Sequence, residues 1–152
     1  MGLIETVRPT IVLGTESWLD DTIGSNEVFP DNYAVYRKDR NSHGGGVFVL
    51  VEKGVPTTPL PIPDVTIKTA WCQMCLDGKL LSVGVYYRPP NENSNGLDEL
   101  ADLILAASKE YVLLGGDFNI PDLIWEDGKA TYSGSTLHTK LSAIVEMFDN
   151  MS

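Results

Sequence analysis

Apolar residues along this chain arrive in short bursts bounded by glycine, proline and polar turns, which is the pattern of a β-rich domain with a few helices. The burst TIVLG at residues 10–14, β-branched and apolar and preceded by Pro9, predicts a short buried strand after a helical opening. YAVYRKD and GGGVFVLVEKG read as two strands joined by a polar, glycine-rich turn. The plainest hairpin joins IKTAWCQMCL to KLLSVGVYYRPP, because the two residues between them, Asp77 and Gly78, suit a type I′ turn. Between these hairpins Pro56, Pro59, Pro61 and Pro63 withhold ladder donors, so a surface loop is expected there and not a central strand. Leu100, Leu103, Ile104 and Ala107 share one helical face, with Asp98 and Glu99 in the first turn where the helix dipole favours them. Leu137, Leu141, Ile144 and Phe148 predict a second amphipathic helix, and YVLLGG at 111–116 a buried strand between the two. Strands in hairpins with helices between some of them predict an α/β domain, a mixed sheet or a pair of sheets with helices packed outside.

Composition narrows the class. With 152 residues, of which 43% are hydrophobic and 21% charged, one ordinary globular domain is expected over residues 1–152. No apolar run approaches the roughly 20 residues of a membrane span, and the N-terminus lacks the pattern of a signal peptide, so an intracellular protein without membrane contact is expected. The opening matches M-G-x-x-x-[ST], a short pattern that recurs by chance, and no polybasic stretch follows to supply a second anchor. The formal net charge of −10 argues against a broad electrostatic footprint for nucleic acid and leaves room only for a local one. The concentrated basic stretch is YRKDRNSHGGG, with Arg37, Lys38, Arg40 and His43; the ordinary fate of such a cluster is a solvated hairpin end.

Chemistry-bearing residues are few. Cys72 and Cys75 lie three apart in a predicted strand, where they point to opposite faces, so no disulfide is expected and both should be reduced; a zinc site is not expected either, since no second ligand pair exists and His43 and His138 are distant in sequence. Glu16 directly follows a buried strand, and Asp117 with Asn119 follows another. Carboxylates at the ends of strands are fixed by the sheet while their oxygens face a wetter crevice, which suits a hard cation. Taken singly, a turn cap at Glu16 and an Asx-turn at Asp117 are the commoner explanations.

Taken together, TESWL, GGGV, VYYRPP and GGDFN, in that order, resemble the endonuclease/exonuclease/phosphatase superfamily, the deoxyribonuclease I-like enzymes. The spelling is most similar to the endonuclease domain of non-LTR (LINE-type) retrotransposons. The resemblance implies a four-layer α/β/β/α fold, two mixed β-sheets packed as a sandwich with helices outside, and Mg²⁺- or Mn²⁺-dependent hydrolysis of DNA phosphodiesters. It implies Asp117 as the group that orients or deprotonates the attacking water, Asn119 as a holder of water or phosphate, Tyr87 as a phosphate contact and Glu16 as the metal ligand. Arg37, Lys38, Arg40, His43 and Arg88 would be nucleic-acid contacts, and an endonuclease of this kind would act in the nucleus. Against the family pattern, Met1 falls within the helix that should follow a first strand, and no S-D-H motif occurs anywhere in the sequence. The resemblance therefore implies an incomplete domain, lacking the first strand and the C-terminal strands, with impaired nicking, weak DNA binding, and self-association or a complementing chain at open sheet edges. An inactive binding module of the same fold, and a phosphatase of the same superfamily, are the alternatives.

Overall fold

The computed structural model describes residues 2–41, 45–90, 92–107, 111–121, 124–126, 129–131 and 136–151, with 124–126, 129–131, 138 and 149–151 as backbone only. Along the chain run α1 (Gly2–Val7), β1 (Ile11–Thr15), α2 (Ser25–Val28), β2 (Tyr33–Lys38), β3 (Val47–Glu52), β4 (Thr57–Pro59), β5 (Lys68–Leu76), β6 (Lys79–Tyr87), α3 (Asn95–Ala107), β7 (Tyr111–Asp117), β8 (Ile124–Glu126), β9 (Lys129–Thr131) and α4 (Thr136–Met151). They form an antiparallel sheet in the order β1-β3-β2, a mixed sheet in the order β4-β5-β6-β7, and a small β8-β9 hairpin.

The two-residue period of the strands builds the layers. In β3, Val47, Val49 and Val51 point between the two main sheets, where they meet Ala70, Cys72 and Met74 of β5 and Val83, Val85 and Tyr87 of β6. The alternate residues face outward. Leu50 packs with Leu19, Phe29 and Tyr33 outside the first sheet, and Ile4 of α1 joins them. Trp71 and Tyr86 pack against Leu97, Leu100, Leu103 and Ile104 of α3 and Ile144 of α4 on the far side of the second sheet. The result is a sandwich of two sheets with helices outside, as expected.

Local sequence accounts for most joints. Asp77 and Gly78 have φ of +50° and +76°, as a type I′ turn requires, and align Leu76 with Lys79. After β6 the chain crosses through α3 and returns parallel to it as β7, which places Tyr87 beside Asp117. The proline-rich segment differs in part from expectation. Thr57–Pro59 pairs with Cys72–Met74 as a short edge strand, a position where a missing N–H can face away from the ladder. Cys72 is buried and Cys75 exposed, and both are free thiols, as their spacing on β5 dictates. No helix among the described residues is long and apolar enough to cross a membrane.

Candidate active site

Three strand ends meet at one rim of the sandwich. Glu16 follows β1 of the first sheet, Tyr87 ends β6 of the second, and Asp117 ends β7 in register with Tyr87. Inside/outside alternation decides which tyrosine of the pair reaches the site: Tyr86 faces the helices, whereas Tyr87 faces the first sheet and donates its hydroxyl to Glu16 Oε1 at 2.9 Å. Burial, that hydrogen bond, and the negative charges of Glu16 and Asp117 all push the Tyr87 pKa above the ordinary tyrosine range. The hydroxyl therefore stays protonated, as a donor, at neutral pH.

Glu16 owes its position to the glycine-rich turn. Its backbone is in the left-handed region, φ +53°, and the Ser17 N–H donates to the Gly46 carbonyl at 3.1 Å. A Cβ on Gly45 would lie 2.8 Å from Glu16 Cα, so the turn can pass this close only without side chains. Gly116 has the same kind of role at β7: its φ is +141°, and a Cβ there would lie 1.9 Å from the Tyr86 carbonyl oxygen. The TESWL and GGGV stretches are thus parts of one joint, and VYYRPP and GGDFN parts of a second.

Behind the carboxylates, Arg88 and Asn119 lock the loops that follow β6 and β7. Arg88 Nη1 donates to the Asn119 carbonyl at 2.9 Å, Nη2 donates to the Glu92 carbonyl, and the Arg88 N–H donates to the Asp117 carbonyl at 2.8 Å. The Asn119 side-chain amide donates back to the Arg88 carbonyl at 2.6 Å, and its N–H donates to Asp117 Oδ1 at 3.0 Å, the bond of an Asx-turn. Asn119 adopts φ +46°, a conformation asparagine tolerates better than most residues. Arg88 is 2% exposed, and its guanidinium braces the loops from within.

Two cations of the basic cluster are engaged within the protein. Arg37 donates to the Asp20 and Ile23 carbonyls and to Ser25 Oγ, and pairs with Asp39 at 2.9 Å. Lys38 Nζ donates to the Val65 and Ile67 carbonyls, each at 2.9 Å. Both cations tie loops to β2. Arg40 is exposed and lies over the Trp18 ring, 5.5 Å from its centroid. His43 lies outside the described residues. Trp18, two residues after Glu16 and 61% exposed, is a letter of the TESWL stretch to which the sequence pattern assigns no role.

A groove of about 720 Å³ opens beside Asp117 and Asn119, walled opposite by Leu141, Ile144, Val145 and Phe148 of α4. Among the described residues, no cluster of three or more His, Cys, Asp and Glu side chains could hold a metal. Glu16 and Asp117, both exposed, are the carboxylates at this rim that could hold a divalent cation, with waters and substrate phosphates completing its shell.

The solved endonuclease domain of TRAS1, a telomere-specific non-LTR retrotransposon, superposes with a TM-score of 0.66 and 14% identity, over 93% of this chain and 62% of that one. A humanized D. rerio TDP2 superposes with a TM-score of 0.60 and 15% identity, over 80% of this chain and 54% of that one. D. rerio TDP2 complexed with a single-strand DNA product gives 0.56 and 14%, over 80% and 52%. No family model and no curated protein sequence matches the chain. These likenesses establish the fold: the chain has the deoxyribonuclease I-like architecture of these structures, and it is similar in fold to a non-LTR retrotransposon endonuclease domain. It spans less than two-thirds of each of these structures.

Proposed function

We propose that this chain carries the phosphodiester-cleaving site of a DNA endonuclease of the non-LTR retrotransposon type. The observation that carries the reading is the meeting of Glu16, Tyr87 and Asp117 from two different sheets at one rim, with the Tyr87 hydroxyl 2.9 Å from Glu16. The structure of D. rerio TDP2 with a single-strand DNA product adds support for DNA as the substrate class.

Hydrolysis of a phosphodiester needs an aimed water, neutralised phosphate charge and a stabilised leaving oxygen. Asp117, with Oδ1 engaged by the Asn119 N–H, turns its other oxygen to the water and accepts its proton. The Asn119 side-chain carbonyl is left to orient that water, since its amide is held by Arg88. Tyr87, kept protonated, donates to a phosphate oxygen. Glu16 would hold Mg²⁺ or Mn²⁺, which supplies the charge neutralisation when bound. The P–O3′ bond opposite the attacking water breaks and the departing oxygen takes a proton from solvent, leaving a 3′-hydroxyl and a 5′-phosphate, and action on chromosomal DNA would place the protein in the nucleus.

Turnover is expected to be slow, because the sequence contains no S-D-H motif and groups acting as a unit are strongly non-additive. Nicking of supercoiled plasmid suits such an activity, since one cut per molecule is read. Mg²⁺-dependent nicking by the purified chain, absent from Asp117→Ala prepared identically, is the expected result. Equal background from both would favour an inactive binding module with the same fold.

A further inference from the structure

Trp18 sits where a large aromatic side chain gains little from the protein itself. Its neighbours are fixed inward: Leu19 is 7% exposed in the outer core of the first sheet, and the Ser17 N–H is bonded to Gly46. Trp18, with φ +58° between them, is turned out and left 61% exposed. The Arg40 N–H donates to the Leu19 carbonyl at 3.0 Å, so the backbone itself brings Arg40 alongside, and its guanidinium lies 5.5 Å from the indole centroid. An indole backed by a cation, held outward two residues from Glu16, is a prepared surface for a flat π-system.

Charge indicates what that surface is for. The chain carries a net charge of −10, Arg37 and Lys38 are spent on loop carbonyls, and Arg88 is buried. Phosphate attraction alone is therefore a poor grip on DNA, whereas stacking on a base is indifferent to the protein's net charge. We propose that Trp18, positioned by Arg40, stacks on one unpaired nucleobase of the nucleotide flanking the phosphate held at Tyr87, beside Glu16. This inference rests on the phosphodiester reading of the site and adds its specificity: the preferred substrate is DNA with an unstacked base at the cut, in a single strand, a frayed end or a distorted duplex.

The test is binding, measured without divalent metal so that no cleavage intervenes. Fluorescence anisotropy would compare a short oligothymidylate with an abasic oligodeoxynucleotide of the same length, against the wild-type chain, Trp18→Ala, Trp18→Phe and Arg40→Ala. Wild type should favour the base-bearing strand by about 5- to 150-fold, the range of one base–aromatic stack. Trp18→Ala should bind both strands alike, Trp18→Phe should keep most of the discrimination, and Arg40→Ala should weaken it. Circular dichroism confirms that each variant is folded, which an exposed side chain leads us to expect. Undiminished discrimination in Trp18→Ala, or none in wild type, overturns the proposal while Asp117-dependent nicking leaves the phosphodiester reading standing. Failure of wild type to bind either strand overturns it as well, and loss of nicking alongside would take the reading of the site with it.

Discussion

Arg88 and Asn119 hold each other from both ends: the guanidinium donates to the Asn119 carbonyl at 2.9 Å, and the Asn119 amide donates to the Arg88 carbonyl at 2.6 Å. Through this pair the loop after β6 and the loop after β7 become one rigid piece, with Tyr87 and Asp117 at its edge. Arg88→Met should leave the Asn119 and Glu92 carbonyls without their donor and cost about 2–5 kcal/mol of stability, as the loss of buried, charge-assisted bonds implies. Urea unfolding would measure it. A surface phosphate contact would show almost no stability cost, and that result would contradict the bracing role.

Arg37 and Arg40 should separate stability from binding. Arg37→Ala removes a cation bonded to three loop positions and to Asp39, and should cost about 1.5–3 kcal/mol without changing the DNA affinity of the folded protein. Arg40→Ala should do the reverse, leaving the melting temperature nearly unmoved and lowering affinity. Because Arg37, Lys38 and Arg88 are engaged within the protein, affinity should also fall only gently with salt. A steep salt dependence, or DNA binding lost in Arg37→Ala at full stability, would restore the basic cluster as a phosphate-binding patch.

These residues also mark how much the sequence made legible. The Asp77-Gly78 turn, the strand-end positions of Glu16 and Asp117, and the opposite facing of Cys72 and Cys75 follow from local periodicity and turn chemistry, so they could be read directly. The ordered motifs added the identity of Tyr87. The direction of Arg37, Lys38 and Arg88 could not be read, because each is set by carbonyls supplied from elsewhere: Asp20 and Ile23 for Arg37, Val65 and Ile67 for Lys38, Asn119 for Arg88. A basic run on a strand end looks the same in sequence whether its charges meet solvent or a neighbouring loop. The short β4 strand escaped for a related reason, since its pairing depends on an available edge of β5.

Alkaline pH should weaken the fold in a defined way. Burial pushes the Cys72 thiol up to about 11 and raises Tyr86 and Tyr87 above the usual tyrosine range. The folded chain holds these protons more tightly than the unfolded chain does, so their contribution is complete below the unfolded values of about 8.5 for the thiol and about 10 for tyrosine. It is lost as pH rises through those values toward the folded ones. The melting temperature should therefore drop above about pH 9, and Tyr86→Phe should flatten the drop; that hydroxyl has no partner among the described residues, so its removal should not destabilise at neutral pH. A thiol reagent should label Cys75 alone in the native protein and Cys72 only after unfolding. An alkaline-insensitive melting temperature, or two reactive native thiols, would contradict the buried state of these groups.

The outer edge of β7 should promote self-association. Among the described residues β7 ends the second sheet, with Tyr111 48% and Leu113 41% exposed, and an unpaired apolar edge invites another strand. Sedimentation velocity should show concentration-dependent association that Leu113→Lys diminishes. A strictly monomeric wild type over the same concentrations would show that the edge is not adhesive.

The central claim is that Glu16, Tyr87 and Asp117, carried by two sheets, act as one hydrolytic site. Plasmid-nicking rates for Glu16→Gln, Tyr87→Phe, Asp117→Ala and the Glu16→Gln/Asp117→Ala pair test it most directly. Each carboxylate variant should lower the Mg²⁺-dependent rate by about 10²- to 10⁴-fold, as removing a positioned base or an electrostatic group does. The pair should fall hardly further than either alone, because groups that act as a unit do not add. Rates unchanged from wild type in the single variants, or losses that multiply fully in the pair, would contradict a shared site.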